Sequence, residues 1–265
     1  MSEQSSSEVA LVTGANRGIG LEVARQLADR GYEVLLSARD GEKASAAAEE
    51  LAQATGGTVR PLRLDVADAN SINAASEQVR ADPGRLDVLV NNAGLGSDFG
   101  VAGVAPDFDK IATALETNFY GAYRLTIALL GLLRESEHPR IVNVSSGMGG
   151  VAEMGGWSPG YRVSKAALNA MTRILSTELK DEGFLVNSAC PGFVNTDIWA
   201  GRWARKSRSR TAPPAWCGWR RSRMTGQRAG SSATASRSRS ERSIARRDPR
   251  GPTAPPDADG KRDFC

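Results

Sequence analysis

Short apolar runs alternate with longer amphipathic segments over the first 200 residues. The run Val9–Val12 has no polar alternation, which is typical of a strand buried on both faces of a parallel sheet. We predict strands at 9–12, 34–36, 59–64, 86–90, 141–144 and 185–189, and helices at 21–30, 41–53, 70–81, 108–136 and 161–181. This alternation predicts one domain, residues 1–200, with a doubly wound parallel α/β sheet.

The pattern stops shortly after residue 200. Residues 201–265 are rich in Arg, Ser, Ala, Pro and Gly, and carry 17 Lys and Arg against 5 Asp and Glu. Residues 1–200 carry 17 against 25, so the formal net charge of +4 originates in the tail. Such a composition predicts a disordered basic tail. A nucleic-acid-binding arm is the functional alternative, but no base-reading motif supports it.

Composition excludes several other classes of protein. The first eight residues are polar, and no apolar run approaches the length of a membrane span, so we expect a cytoplasmic protein without membrane attachment. The cysteines, at 190, 217 and 265, are odd in number and widely separated. This spacing predicts neither a disulfide framework nor a metal site.

A glycine-rich turn joins the first strand to the first helix. It has the form T-G-x-x-x-G-x-G over Thr13–Gly20. Glycines let the backbone approach a pyrophosphate, whose charge meets the N–H groups at the start of the helix. A plain glycine-rich loop is the alternative. The motif predicts a dinucleotide site with contacts from Gly14, Asn16, Arg17, Gly18, Ile19 and Gly20.

Tyr161 and Lys165 stand four positions apart at the start of a helical pattern, and therefore on one helix face. A cation beside a phenol favours the phenolate and lowers its pKa, as a general acid for carbonyl reduction requires. Taken alone, the pair is more typical of a solvated helix face.

The glycine motif, N-N-A-G at 91–94, Ser145-Ser146 and Pro191-Gly192 each follow a predicted strand, and Y-x-x-x-K at 161–165 opens the helix between the fifth and sixth strands. In this order they resemble the short-chain dehydrogenase/reductase family, which implies a Rossmann fold. The resemblance implies catalytic roles for Asn118, Ser146 (with Ser145 as the alternative), Tyr161 and Lys165. It implies further cofactor contacts from Asp65, Val66, Asn92, Ala93, Gly94, Tyr161, Lys165, Pro191, Gly192, Val194 and Thr196.

The end of the second strand predicts which cofactor is bound. An NAD enzyme normally places an acidic residue there, whereas this chain has Ser37, followed by Arg39. Arg39 and Arg17 are suited to a 2′-phosphate, so we expect NADP(H).

The predicted function is NADPH-dependent reduction of an aldehyde or ketone to an alcohol, and the family's long helix implies a homodimer or homotetramer.

The tail departs from the family. Read in a shifted frame, residues 219–237 can be back-translated into a sequence resembling the end of carbonyl-reductase-like members, so we interpret the tail as a frameshift product. The alternative function is therefore an NADP(H)-binding protein with little or no turnover.

Overall fold

The computed structural model describes residues 7–152, 154–192 and 194. Strands and helices alternate along the chain. The strands are β1 (Val9–Val12), β2 (Glu33–Ala38), β3 (Val59–Arg63), β4 (Val88–Asn91), β5 (Arg140–Val144) and β6 (Leu185–Ala189). The helices are α1 (Gly18–Ala28), α2 (Gly41–Thr55), α3 (Ala69–Ala81), α4 (Phe108–Leu115), α5 (Ala122–Arg134) and α6 (Pro159–Glu178). A π-helical turn (Glu116–Gly121) joins α4 to α5, and short 3₁₀ turns occupy Gly147–Gly149 and Lys180–Glu182.

The six strands form one parallel sheet in the order β3-β2-β1-β4-β5-β6. The chain builds outward from β1 to β3 on one side and from β4 to β6 on the other. The direction of winding therefore changes between β1 and β4, the position where open α/β sheets bind ligands. This confirms the predicted doubly wound parallel fold.

Two apolar cores lie on opposite faces of the sheet because successive strand side chains point to opposite sides. On one face, Leu11, Leu89 and Ile141 belong to a cluster that includes residues of α3, α5 and α6. On the other face, Val12 and Val34 belong to a cluster that includes residues of α1 and α2. Burial on both faces explains why the strands read as nearly continuous apolar runs.

The sequence predicted one continuous helix over 108–136, and this prediction is wrong in the middle of the segment. The structure has α4 and α5 separated by the π-helical turn Glu116–Gly121. At the end of this turn Gly121 lies directly against the backbone of Val66, where a Cβ would stand 2.4 Å from the carbonyl oxygen. The amphipathic pattern is interrupted at Gly121, the last residue of this turn, but a single glycine does not by itself predict a π-helical turn.

Three other predicted boundaries are corrected. Strand β2 extends to Ala38, so Ser37 lies inside the strand rather than in the loop after it. Helix α6 begins at Pro159, because proline is favoured in the first helical turn, and ends at Glu178 rather than 181. Helix α1 begins at Gly18 and ends at Ala28, against the predicted 21–30.

No helix in the described part of the chain is long and apolar enough to cross a membrane. The predicted domain limit near residue 200 and the predicted disordered tail, 201–265, lie outside the described residues.

Candidate active site

A cleft of about 470 Å³ opens at the carboxyl edge of the sheet, at the change of winding between β1 and β4. Its size is in the range of small-molecule and cofactor sites. Twelve residues that the sequence assigned to a cofactor line it: Gly14, Asn16, Arg17, Gly18, Ile19, Gly20, Arg39, Asp65, Val66, Asn92, Ala93 and Gly94. A second, smaller cavity is lined by some of these residues and by Ser145, Ser146, Tyr161, Lys165, Pro191, Gly192 and Val194. Thr196 lies outside the described residues.

The glycine turn forms the floor of the cleft. Gly14 and Gly18 have φ of +61° and +58°, in the left-handed region that favours glycine. A Cβ on Gly20 would stand 2.6 Å from the Gly14 carbonyl oxygen, so the third glycine of the motif has no room for a side chain. The first turn of α1 has no acidic residue and Arg17 makes no capping hydrogen bond there, so the start of α1 suits an anionic group.

Thr13 ties this turn to the end of β4. Its hydroxyl accepts hydrogen bonds from the N–H groups of Asn92 and Ala93, both at 2.9 Å. The Asn92 amide in turn donates to the Thr13 carbonyl oxygen at 2.8 Å. These reciprocal bonds hold the two lips of the cleft at a fixed separation.

At the end of β2, the cleft is lined by Ala38 and Arg39, not by Ser37. Ser37 is fully buried, with a hydroxyl that has no partner among the described residues. The position that an acidic residue would occupy is therefore Ala38, a correction to the assignment of Ser37. Asp40 follows but accepts hydrogen bonds from Glu42 and Lys43 N–H groups and so caps α2.

Asp65 lies at the cleft and also stabilises the turn that follows it. It lines the cleft, and its carboxylate accepts a hydrogen bond from the Ala67 N–H at 3.0 Å. The capping bond fixes the loop after β3, whose residues Asp65 and Val66 form one wall of the cleft.

Ser146 and Tyr161 line the second cavity together, and the Ser146 hydroxyl lies close enough to the phenol to influence its pKa. Ser146 also accepts a hydrogen bond from the Met148 N–H at 3.2 Å, which fixes it at the start of a 3₁₀ turn. Ser145 lines the same cavity, but its buried hydroxyl has no partner in the described residues. The geometry therefore favours Ser146 over Ser145 as the partner of Tyr161.

Burial raises the pKa of Tyr161, the hydrogen bond from Ser146 lowers it in part, and the nearby Cys190 raises it further. The pKa of Tyr161 is thus raised overall, whereas the Y-x-x-x-K spacing predicted a pKa lowered by Lys165. Lys165 lies on the same helix. Its ammonium stands 5.9 Å from the centre of the Tyr161 ring and donates to the Val144 carbonyl oxygen at 2.8 Å. Burial lowers the pKa of Lys165 to about 8.

Asn118 lies within the π-helical turn and is 1% exposed. Its side chain accepts a hydrogen bond from the Leu95 N–H at 2.8 Å and donates to the Leu95 carbonyl oxygen at 2.9 Å. The same amide donates to the Ser164 hydroxyl at 3.0 Å, and Ser164 donates to the Tyr161 carbonyl oxygen at 2.8 Å. Asn118 is thereby connected to the backbone of α6 at Tyr161.

The family model for short chain dehydrogenases matches residues 8–207. The chain belongs to the short-chain dehydrogenase/reductase family. Among curated relatives, (+)-neomenthol dehydrogenase of Arabidopsis thaliana is 36% identical, covering 71% of this chain and 83% of its own. The 3-oxoacyl-[acyl-carrier-protein] reductase of Escherichia coli K12 is 34% identical, covering 72% and 75%.

Solved structures agree with this assignment. An alcohol dehydrogenase from the archaeon Thermococcus sibiricus, complexed with 5-hydroxy-NADP, matches with 32% identity and a TM-score of 0.66, covering 72% of this chain and 79% of its own. A gluconate 5-dehydrogenase from Burkholderia cenocepacia, in complex with NADP and tartrate, matches with 27% identity and a TM-score of 0.67, covering 73% and 74%. The chain is therefore an oxidoreductase of a family that uses nicotinamide cofactors.

Sequence reasoning implied a role for Asn91 in tying the sheet together, but it did not find the buried partners of Asn91 or the role of Asp98. Asn91 donates to Asn143 at 2.8 Å, and Asn143 donates to Thr172 at 2.9 Å, which connects β4, β5 and α6 beneath the site. Asp98, in the loop after β4, bonds to the first turn of α6. A polar residue within an apolar strand was the available signal for Asn143, whereas no local pattern marks Asp98.

Proposed function

We propose that the protein reduces a small aldehyde or ketone to an alcohol with NADPH. The observation that carries the proposal is that Ser146, Tyr161 and Lys165 line one small cavity, beside the larger cleft at the change of winding between β1 and β4. Two hydroxyl groups at one point suit a carbonyl oxygen that becomes negatively charged and then accepts a proton.

In this mechanism Ser146 donates a hydrogen bond to the carbonyl oxygen and orients it, while Tyr161 gives up its phenolic proton to the same oxygen. The nicotinamide, when bound, supplies the hydride. Lys165 binds the adjoining ribose and provides a positive charge that favours the phenolate left on Tyr161. The backbone of Asn118 would hold a water of the proton relay, a role taken from the family resemblance.

The choice of NADPH rests on the charge at the adenosine end of the cleft. Ala38 cannot accept a hydrogen bond from a ribose hydroxyl, whereas Arg39 and Arg17 line the cleft and can bind a phosphate. Two similar solved structures are complexes with NADP or a modified NADP, which supports the same choice.

The test is steady-state turnover of NADPH and NADH with a panel of small aldehydes and ketones. We expect Arg39→Ala to raise the KM for NADPH at least tenfold and to change that for NADH by less than threefold. Arg30→Ala, an exposed arginine at the far end of α1, is the matched control and should change neither. Equal effects of Arg39→Ala on both cofactors would refute the NADPH assignment.

Binding without turnover would support the second candidate, an NADP(H)-binding protein with little activity. It would be recognised by NADPH fluorescence that saturates while no carbonyl compound in the panel is reduced.

We also propose a homodimer or homotetramer. Four apolar side chains on the π-turn, α5 and α6 are about half exposed: Tyr120, Ile127, Val163 and Ile174. Exposed apolar groups on neighbouring helices are typical of subunit contacts. Light scattering after size exclusion should give two or four times 28.1 kDa, and Ile127→Arg should shift the mass towards the monomer.

A further inference from the structure

The first turn of the catalytic helix α6 is capped by a side chain from a different part of the chain. The Asp98 carboxylate accepts hydrogen bonds from the N–H groups of Gly160, at 2.5 Å, and Tyr161, at 3.0 Å. Asp98 is 62 residues away in sequence from Gly160 and is 1% exposed. A carboxylate so buried needs such donors, because an unpaired buried charge is strongly disfavoured.

No residue next to α6 in the sequence caps its first turn. The residue at the N-cap position, Ser158, has φ of +58° and makes no capping bond to the helix; its hydroxyl accepts from the Gly100 N–H instead, at 3.2 Å. Pro159 follows and has no N–H. The unpaired N–H groups of the first turn are therefore those of Gly160 and Tyr161, and Asp98 accepts from both.

The same loop also contacts the side chain of Tyr161. The ring of Phe99 lies against the Tyr161 ring, with centroids 4.9 Å apart and an angle of 56° between the planes. The Ser158 N–H donates to the Val101 carbonyl oxygen at 2.8 Å. Residues 98–101 therefore hold the start of α6 at its backbone and at the phenol ring.

Close packing leaves the first turn of α6 little freedom. A Cβ on Gly160 would stand 2.8 Å from the Ile111 Cα and 3.0 Å from an Asp98 carboxylate oxygen. The loop that carries Asp98 follows directly after Gly94, which lines the cofactor cleft. The Asp98 contact therefore joins the closely packed start of α6 to the loop that follows Gly94.

We infer that Asp98 is a positioning residue, which fixes the phenol of Tyr161 opposite Ser146 by capping the helix that carries it. The inference rests on the proposed function, since positioning matters for a proton transfer from Tyr161. A displaced phenol slows that transfer more than it weakens cofactor binding, because most of the dinucleotide cleft is lined by the turn after β1, the end of β2 and the loop after β3.

The test compares Asp98→Asn with Asp68→Asn. Both replace a capping carboxylate at a helix start by an amide of the same size, and Asp68 caps α3 and lines neither of the two cavities. In Asp98→Asn one acceptor oxygen becomes an NH₂ group facing an N–H donor. We expect kcat to fall at least tenfold, with the KM for the carbonyl substrate within threefold and the stoichiometry and Kd of NADPH unchanged. Asp68→Asn should leave kcat within twofold.

Amide hydrogen exchange followed by NMR provides a readout without turnover. In the unsubstituted protein, the Gly160 and Tyr161 amides should be protected to within tenfold of the Arg162 amide, which bonds within the helix to the Ser158 carbonyl oxygen. Unprotected Gly160 and Tyr161 amides would overturn the inference, whether or not Asp98→Asn folds. The inference would also be overturned if Asp98→Asn kept a kcat within twofold of the unsubstituted value. A fall in kcat that is fully accounted for by a smaller number of NADPH-binding sites would overturn it as well.

Failure of the proposed function gives a different result. If the unsubstituted protein binds NADPH but reduces no carbonyl compound, the reductase proposal is wrong and the positioning role for proton transfer is overturned with it. The exchange rates then still show whether Asp98 caps α6.

Discussion

Lys165 holds an ammonium group almost entirely inside the protein, and its replacement should change how stability depends on pH. Its side chain lies 4% exposed among the groups of the site, and burial lowers its pKa from 10.5 to about 8. In the unfolded chain the same group keeps a pKa near 10.5. Between these two values the unfolded chain carries a proton that the folded chain has lost, so the free energy of unfolding rises with pH.

The magnitude follows from the separation of the two pKa values. Each pH unit within the interval contributes about 1.4 kcal/mol, so the contribution of Lys165 should be flat below pH 7.5 and rise by about 2 kcal/mol up to pH 9.5. Staying below pH 10 keeps the titration of tyrosine out of the comparison. The lost hydrogen bond to the Val144 carbonyl oxygen adds an offset that does not vary with pH.

The assay is urea unfolding of the unsubstituted protein and of Lys165→Met at half-unit steps from pH 6.5 to 9.5. The difference in the free energy of unfolding between the two should rise in favour of the unsubstituted protein above pH 8. Lys43→Met, at a side chain that is 68% exposed, should give a flat difference. A flat difference for Lys165→Met as well would refute the reasoning that burial destabilises the charged ammonium.

Three further substitutions test other parts of the site. Tyr161→Phe should lower kcat about 100-fold or more and leave the Kd of NADPH nearly unchanged, measured by steady-state kinetics and fluorescence titration. Gly121→Ala places a methyl group against the Val66 carbonyl oxygen and should lower the free energy of unfolding by about 1–3 kcal/mol, with weaker NADPH binding because Val66 lines the cleft. Asn143→Leu removes the acceptor for Asn91 and should lower the urea midpoint by an equivalent of about 1–3 kcal/mol.

The strands and the order of the motifs could be predicted because both are local properties of the chain. Val9–Val12 is buried on both faces and therefore apolar throughout, and the glycines that follow are required by their own backbone angles. Each motif then lies at the carboxyl edge because each follows a parallel strand. No knowledge of distant contacts is needed for that placement.

The details that could not be predicted depend on contacts between distant residues. Whether Ser37 or Ala38 faces the cleft depends on the register of β2 with β3, which pairs Ser37 with Leu62. The capping of α6 by Asp98 joins residues more than 60 positions apart. Likewise, the pKa of Tyr161 follows from its burial and from Ser146, neither of which is visible in the Y-x-x-x-K spacing.

The distance between Ser146 and Tyr161 is itself a result of packing around α6. A Cβ on Gly149, in the turn that begins at Ser146, would stand 2.7 Å from the backbone carbon of Lys165, and Gly160 is equally close to α4 on the other side. The helix can approach both neighbours only because these two positions lack side chains. Ser146 and Tyr161 therefore line one cavity because glycines on either side let α6 pack closely, while Asp98 accepts hydrogen bonds at the end of the helix that carries Tyr161.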